Sequence, residues 1–327
     1  MGTMKVLVIG AGKIAERHVR AWKGLGVDRI SICDLASEHA KWLADELGVQ
    51  FLQSPLGAIE SSATDVVDIC VPTPSHAGYV IGALDAGKHV FVEKPLCSTS
   101  SEGEQILATA RKSGCHLQVG YLFRYHPVYL QVKDWLEQGL VGQAHLVLGR
   151  MGGRGAAALW KHQSAQGGGA INEMLVHKID LLMWFFGDLK LERALLKKTI
   201  LPTRRIKGGE YQIDAEDFVV AEFSAQNATV VLQSDLVSPA YVESTEIHGT
   251  NGSIVASVQE GVRSYLYLCT PSGETKEGYH YLESGSVDLF GAELADFSGR
   301  LAEKPNYAKL EDAVRQIILL EQIRSRC

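Results

Sequence analysis

Residues 5–9, Lys-Val-Leu-Val-Ile, form a short and nearly unbroken apolar run, the pattern of a strand buried on both faces of a parallel sheet. Comparable short runs recur at 29–33, 50–52, 66–71, 89–92 and 116–119. Between them lie segments with helical spacing: one opening near Lys13 and running through Ile14, Val19 and Trp22, then Ser37–Leu47, His76–Asp85 and Ser101–Ser113. The third of these stops at Ala86-Gly87, glycine being a preferred helix stop. Strands alternating with helices of this length predict an α/β, doubly wound parallel sheet, here over residues 1–123.

From about Tyr125 the pattern changes. A helix over Val128–Leu136 leads to a strand at Ala144–Gly149 and a glycine-rich loop at Met151–Gly155. Gly167-Gly168-Gly169 precedes a strongly apolar helix through Ile171, Met174, Leu175, Leu181, Leu182 and Trp184 that ends at Gly187. Six strands with hairpin-like spacing follow, at 192–201, 217–224, 229–236, 242–248, 253–258 and 264–269, with Asn251-Gly252 as a hairpin turn. Helices at Ala292–Leu301 and Asp312–Arg324 close the chain. Residues 124–327 are therefore expected to form an α+β domain on a large, mostly antiparallel sheet. A broad sheet with few covering helices often pairs with a second copy, so a homo-oligomer, dimer or tetramer, built through this sheet is expected.

Composition narrows the function classes. The 327 residues carry a formal charge of −6, which argues against a nucleic-acid partner. No apolar run approaches the ~20 residues of a membrane span, and no signal-peptide layout opens the sequence. The six cysteines include no C-x-x-C pair. That spacing points to a reducing, cytoplasmic setting without disulfides, and no metal site is expected.

The candidate chemistry starts at the end of the first strand. Gly10-Ala11-Gly12-Lys13-Ile14-Ala15 fits G-x-G-x-x-(G/A) between a strand and a helix. Gly10 would permit the tight turn, Gly12 the approach of a pyrophosphate, and Ala15 close packing of helix on strand. The helix start at Lys13 and Ile14 would offer free N–H groups and a positive dipole end to the phosphates. Asp34, ending the second strand, is spaced to accept a hydrogen bond from the adenosine ribose and to repel a 2′-phosphate, which predicts NAD in preference to NADP. Pro72, Thr73 and His76 after the fourth strand, and Glu93 and Lys94 after the fifth, fall at the same carboxyl ends and complete the expected cofactor crevice. His76 can also cap or pack, and Glu93 can hold its loop.

These residues resemble the glucose–fructose oxidoreductase / inositol dehydrogenase / rhizopine-catabolism family of sugar oxidoreductases. The resemblance rests on GAGKIAERH, GALDAGKHVFVEKPL, GYLFRYHP and GGGAINEMLVHKIDLLMWFFG. It implies NAD(P)-dependent oxidation or reduction at a carbon of a sugar, cyclitol or nucleotide sugar. It also implies that the EKP lysine, Lys94, lies beside the nicotinamide and the reacting hydroxyl, with His177 opposite. Two departures stand out. Glu173 occupies a position where the family more often has Asp, and Val71-Pro72 replaces its usual Thr-Pro.

Read on their own, the residues suit that chemistry. Hydride transfer from an alcohol needs a proton acceptor near neutral pH, a role that fits the imidazole of His177. An ammonium at Lys94 can stabilise a developing alkoxide. Glu173, four residues before His177, would share its helical face and orient the ring or bind a substrate hydroxyl. Asp180, Arg124 and Tyr125 are further substrate candidates. Arg154 and Lys161 point to an anionic substrate such as a nucleotide sugar or sugar acid, though the same charges suit ordinary solvated loops. Two other readings stay open. One is an NAD-retaining glycoside hydrolase, and the other is a non-enzymatic regulator that senses the dinucleotide.

Overall fold

The computed structural model describes residues 4–61, 64–154, 158–198, 200–283, 285 and 287–326. Its first half alternates β1 (Lys5–Ile9), α1 (Lys13–Gly24), β2 (Arg29–Cys33), α2 (Ser37–Leu47), β3 (Gln50–Phe51), α3 (Pro55–Glu60), β4 (Val66–Ile69), α4 (His76–Asp85), β5 (His89–Glu93), α5 (Ser100–Ser113) and β6 (Leu117–Gly120). The six strands form one parallel sheet in the order β3-β2-β1-β4-β5-β6. The order reverses direction between β1 and β4, and a doubly wound sheet binds its ligand at such a switch point.

Local signals explain most boundaries. The Thr99 hydroxyl accepts from the Glu102 N–H, and the Glu102 carboxylate accepts from the Thr99 N–H, a reciprocal cap that starts α5. Helix α3 was not expected, although its signal was present. Ser54 accepts from the Gly57 N–H, and Pro55 takes the first helical position.

The second half carries α6 (Pro127–Glu137), β7 (Ala144–Gly152), α7 (Val176–Phe186), β8 (Lys190–Lys198), β9 (Thr203–Ile206), β10 (Gly209–Gln212), β11 (Glu216–Ala225), β12 (Ala228–Asp235), β13 (Val242–Gly249), β14 (Gly252–Ala256), β15 (Tyr265–Leu268) and β16 (Gly278–Tyr281). Eight strands make one sheet, β16-β15-β14-β13-β7-β12-β11-β8, antiparallel except where β12 meets β7. The fold is thus the expected α/β sheet followed by an α+β domain.

The differences lie in details. The segment expected as a loop before Glu216 holds a small hairpin, β9–β10, turned by Lys207 at φ 48° and Gly208 at φ 84°. Strand β7 runs on to Gly152, into the expected glycine loop, whose Gly155 lies outside the described residues. The helix expected from Ile171 begins instead as one π-helical turn, Ile171–Leu175, before α7.

Two final helices, α8 (Leu289–Arg300) and α9 (Ala308–Ser325), close the chain. They were expected with the second domain. The compact units are instead Met1–Leu122 with Asp288–Ile318, and Phe123–Val287 with Leu319–Cys327. Packing explains the return. Phe297 of α8 is fully buried among Trp22 of α1 and Phe91 of β5, edge-to-face with both rings at 6.4 and 5.6 Å. A first unit without α8 would leave those aromatic rings facing water.

Phe297→Ala should therefore cost about 3–5 kcal/mol, the usual range for a buried phenylalanine. It should appear as a lower urea midpoint in tryptophan fluorescence. An unchanged midpoint would mean that the returning segment is not part of this core.

Candidate active site

In the first unit, the expected cofactor residues meet at the carboxyl ends of β1, β2, β4 and β5. Gly10 sits at φ +111°, and a Cβ there would come within 2.4 Å of the Cys70 carbonyl oxygen, so only glycine fits. Gly12 precedes α1, and a Cβ on it would meet no protein atom within 4 Å. The backbone there faces open space. The N-terminal N–H groups of Lys13 and Ile14 follow at once, with no side chain capping them, an arrangement that fits a pyrophosphate. Ala15 is fully buried, which lets α1 pack close.

Asp34 is held by two backbone N–H groups, from Ala11 to Oδ2 and from Ala36 to Oδ1, each at 2.8 Å. Each oxygen retains a lone pair for a further donor. His76 differs from a ligand-facing residue. It is 1% exposed, and its ring nitrogens face the carbonyl oxygens of Val71 and Pro95, each at 2.8 Å. Burial pushes its imidazole below the usual histidine range, so the neutral ring donates one N–H across the two loops that carry Pro72–Thr73 and Glu93–Lys94. It clamps the crevice from behind.

Glu93 is also drawn inward. Its Oε2 accepts from the Lys94 backbone N–H at 3.2 Å, and its Oε1 lies 3.2 Å from His18 Nε2. The other ring nitrogen of His18 lies 3.0 Å from Asp68, which also accepts from Trp22 Nε1 at 2.7 Å. Burial opposes an imidazolium, but Asp68 and Cys70 together more than offset it and hold His18 well above its usual value. The doubly protonated ring therefore donates to both carboxylates. His18 and Asp68 were not singled out from the sequence. Their signals were a histidine on the buried face of α1 and one charged residue inside the apolar run of β4. Lys94 is half-buried at the end of this network.

In the second unit, the glycine triplet sets up the start of the α7 segment. A Cβ on Gly168 would lie 2.5 Å from the Lys161 carbonyl group, and one on Gly169 would lie 2.3 Å from Glu216 Oε1. The Gly169 N–H donates to the Lys161 carbonyl at 2.9 Å. The same loop lets the Lys161 ammonium ion-pair with Glu173. Ile171–Leu175 is π-wound, and Glu173 within it is ion-paired with Lys161. His177 is 7% exposed and stands edge-on to Phe123 at 5.0 Å.

Arg124 and Asp180 come together as a two-pronged ion pair, Nε to Oδ2 at 2.9 Å and Nη2 to Oδ1 at 2.6 Å, and the guanidinium lies 5.9 Å from the Trp184 ring centre. Tyr125 is half-buried in the short helical turn Leu122–Tyr125. Arg154 is separate from these pairs. Its side chain donates to the Val237 carbonyl at 2.7 Å. Beside His177, Lys178 is fully buried and ion-paired with Glu243, and also donates to Thr245 at 2.8 Å and Tyr129 at 3.2 Å.

Among the described residues no helix is long and apolar enough to cross a membrane. Comparison with known proteins matches this architecture. Residues 4–121 fit the family described as "Oxidoreductase family, NAD-binding Rossmann fold", and residues 129–255 fit the "GFO/IDH/MocA C-terminal domain". The chain is 29% identical over 191 residues to an inositol 2-dehydrogenase of Salmonella paratyphi B, a match covering 57% of this chain and 55% of the relative. The first curated relatives are thus matched over about half of their length. An inositol 2-dehydrogenase of Rhizobium meliloti is 24% identical over 298 residues, 90% of this chain and 88% of the relative. A levoglucosan dehydrogenase in complex with NADH and levoglucosan shares the fold, with a TM-score of 0.88 at 21% identity over 99% of this chain and 96% of that one. With both domain models of one family covering most of the sequence, the chain belongs to the Gfo/Idh/MocA oxidoreductase family, whose N-terminal domain is an NAD-binding Rossmann fold.

Proposed function

We propose that the protein is an NAD-dependent dehydrogenase acting on a secondary hydroxyl or ketone of a neutral sugar or cyclitol. The observation that carries this reading is Lys94. It follows the last residue of β5, at the same carboxyl edge of the sheet as the open backbone of Gly12, on a loop fixed by Glu93 and His76. When bound, the nicotinamide supplies the hydride acceptor or donor. Gly10, Gly12, Lys13 and Ile14 receive the pyrophosphate, and Pro72 and Thr73 line the crevice. Asp34 accepts from the ribose hydroxyls, using the lone pairs left by Ala11 and Ala36.

The Lys94 ammonium stabilises the developing alkoxide. His177 accepts the hydroxyl proton, or returns it in the reductive direction. The paired charges of the second unit favour an uncharged substrate. Lys161 is matched by Glu173 and Arg124 by Asp180, so these groups can give and take hydrogen bonds with hydroxyls without seeking a net anion. An anionic sugar acid or nucleotide sugar finds few unmatched cations among these residues. Free thiols at Cys33, Cys70, Cys97, Cys115 and Cys269 suit a reducing, cytoplasmic setting. Alternate residues of β11 and β12, among them Val220, Glu222 and Val231, are half-buried on the sheet face opposite the core, and this face would pair two or more copies.

Lys94→Ala and His177→Ala should each lower turnover by about 10²–10⁴-fold, the range for a positioned proton-transfer or charge-stabilising group. NAD binding should persist in both. NADH formation at 340 nm with cyclitols, sugars and their anionic derivatives tests the reading, and turnover confined to the anionic compounds would overturn the preference for neutral ones. Hydrolysis without accumulated NADH would instead indicate a glycoside-cleaving enzyme. Asp34→Ala should weaken NAD binding by about tenfold, the loss of a charge-assisted hydrogen bond, and should relax discrimination against NADP. An unchanged NAD/NADP ratio would assign ribose recognition elsewhere. Light scattering should give a multiple of the 35.6 kDa chain mass, reduced to one by Val220→Lys with Val231→Lys, and a monomeric wild type would remove the sheet interface.

A further inference from the structure

The returning helix α8 carries a carboxylate into the buried network behind Lys94. Glu293 is 0% exposed, and neither of its carboxylate oxygens has a hydrogen-bond partner. One of its carboxylate oxygens, a ring nitrogen of His18 and a Glu93 oxygen all lie within 4.8 Å of one another. The charged and titratable groups facing it come from every neighbouring element: His18 of α1, Asp68 of β4 with Cys70 just beyond it, Glu93 of β5 and Asp288 at the start of α8 itself.

A charge count decides the state of this group. One imidazolium, His18, already faces two carboxylates, Asp68 and Glu93. An ionised Glu293 would add a second uncompensated negative charge in a fully buried site, with no protein donor directed at it. Burial, and then the Glu93 charge, drive its proton affinity well above the usual carboxylate range, against the opposing pull of His18. A neutral acid has one O–H to donate, and the nearest carboxylate is that of Glu93.

We propose that Glu293 is a positioning residue for the active site: as a neutral acid it shares its proton with Glu93 and, with His18 on the other side, fixes the carboxylate that holds the Lys94 peptide. The inference rests on the reading of Lys94 as catalytic. It also explains why the C-terminal segment returns to the first unit: the dinucleotide domain's own residues supply two acids and one base to this network, and α8 supplies the remaining proton. Glu93 then has both oxygens engaged. A second anion beside it would push it off the Lys94 N–H.

The test compares full-length wild type, Glu293→Gln and Glu293→Ala by melting temperature against pH, by turnover, and by the rate at which an acylating reagent labels Lys94, read by mass spectrometry. A carboxyl whose proton is held more tightly in the folded state contributes stability that is lost as pH rises. The melting advantage of Glu293→Gln over wild type should therefore grow as pH rises above the usual carboxylate range. The amide can replace the neutral acid, so Glu293→Gln should keep at least about a third of wild-type kcat. Glu293→Ala should lose about tenfold or more in kcat, with KM changed less than about threefold. The pH profile of Lys94 labelling should shift in Glu293→Ala and stay near wild type in Glu293→Gln. Glu293→Gln as damaged as Glu293→Ala would overturn the proposal, because the site would then need an anion, as a cation-binding cluster does. Equal labelling and turnover in all three would overturn it too. If Glu293→Ala does not fold, the pH dependence and labelling of Glu293→Gln against wild type still decide. If the wild type turns over no sugar, the dehydrogenase reading fails while the melting and labelling results still judge Glu293.

Discussion

The first unit depends on how closely three strand ends meet around Gly10. Its N–H donates to the Cys33 carbonyl at the end of β2 at 2.8 Å, while the Cys70 N–H at the end of β4 donates to Ile9 at 2.8 Å. No side chain fits in the remaining gap, because a Cβ on Gly10 would collide with the Cys70 carbonyl. That approach fixes the turn into α1, so the helix N-terminus opens beside Gly12. It also brings the Ala11 N–H onto Asp34. The proposed phosphate cradle and ribose acceptor thus share one constraint. A larger residue at position 10 would displace both together rather than weaken one contact.

Each unit buries an ionic group directly behind its candidate catalytic side chain. In the first unit this is the His18–Asp68–Glu93 chain leading to Lys94. In the second it is Lys178 with Glu243, Tyr129 and Thr245, one residue from His177. Burial pulls the Lys178 ammonium below its usual value, while Glu243 opposes this. Such groups are expensive to desolvate, so they hold only when every hydrogen bond is in place. Their effect is therefore geometric. Helix α7 cannot rotate or slide by one residue without stranding the Lys178 charge, and that fixes the direction in which His177 leaves the helix.

The parts legible in the sequence were those written in local chemistry. The glycine turn, Asp34, the alternating strands and helices, and the Glu93-Lys94-Pro95 run each carry their signal within a few residues. What sequence reading missed came from contacts between distant segments. Nothing in the residues around Phe297 or Glu293 says that α8 packs on α1 and β5. His18 and Asp68 gain meaning only once β4 and α1 are adjacent. The backbone leading into the π-wound turn at Ile171–Leu175 is held by distant residues: the Ile171 N–H donates to Glu216 Oε1 at 3.3 Å, 45 positions along the chain, and the Gly169 N–H donates to the Lys161 carbonyl at 2.9 Å. Periodicity alone read that stretch as α-helical throughout.

The ion pairing of Glu173 bears on what the second unit would recognise under the proposed reading. The close approach of Gly168 to the Lys161 backbone and the pairing of Lys161 with Glu173 are one construction. The glycine brings the loop in, and the loop brings its ammonium to the carboxylate. Arg124 and Asp180 repeat the scheme with a guanidinium in place of the ammonium. In each pair the cation already has its counter-charge, so an incoming phosphate or carboxylate would have to compete with a protein carboxylate for the same donors. A hydroxyl does not compete in this way, because it can donate to the carboxylate and accept from the cation while the pair stays intact. Under the proposed function, two such pairs would suit a ring carrying several hydroxyls and would disfavour a ligand whose recognition depends on net negative charge.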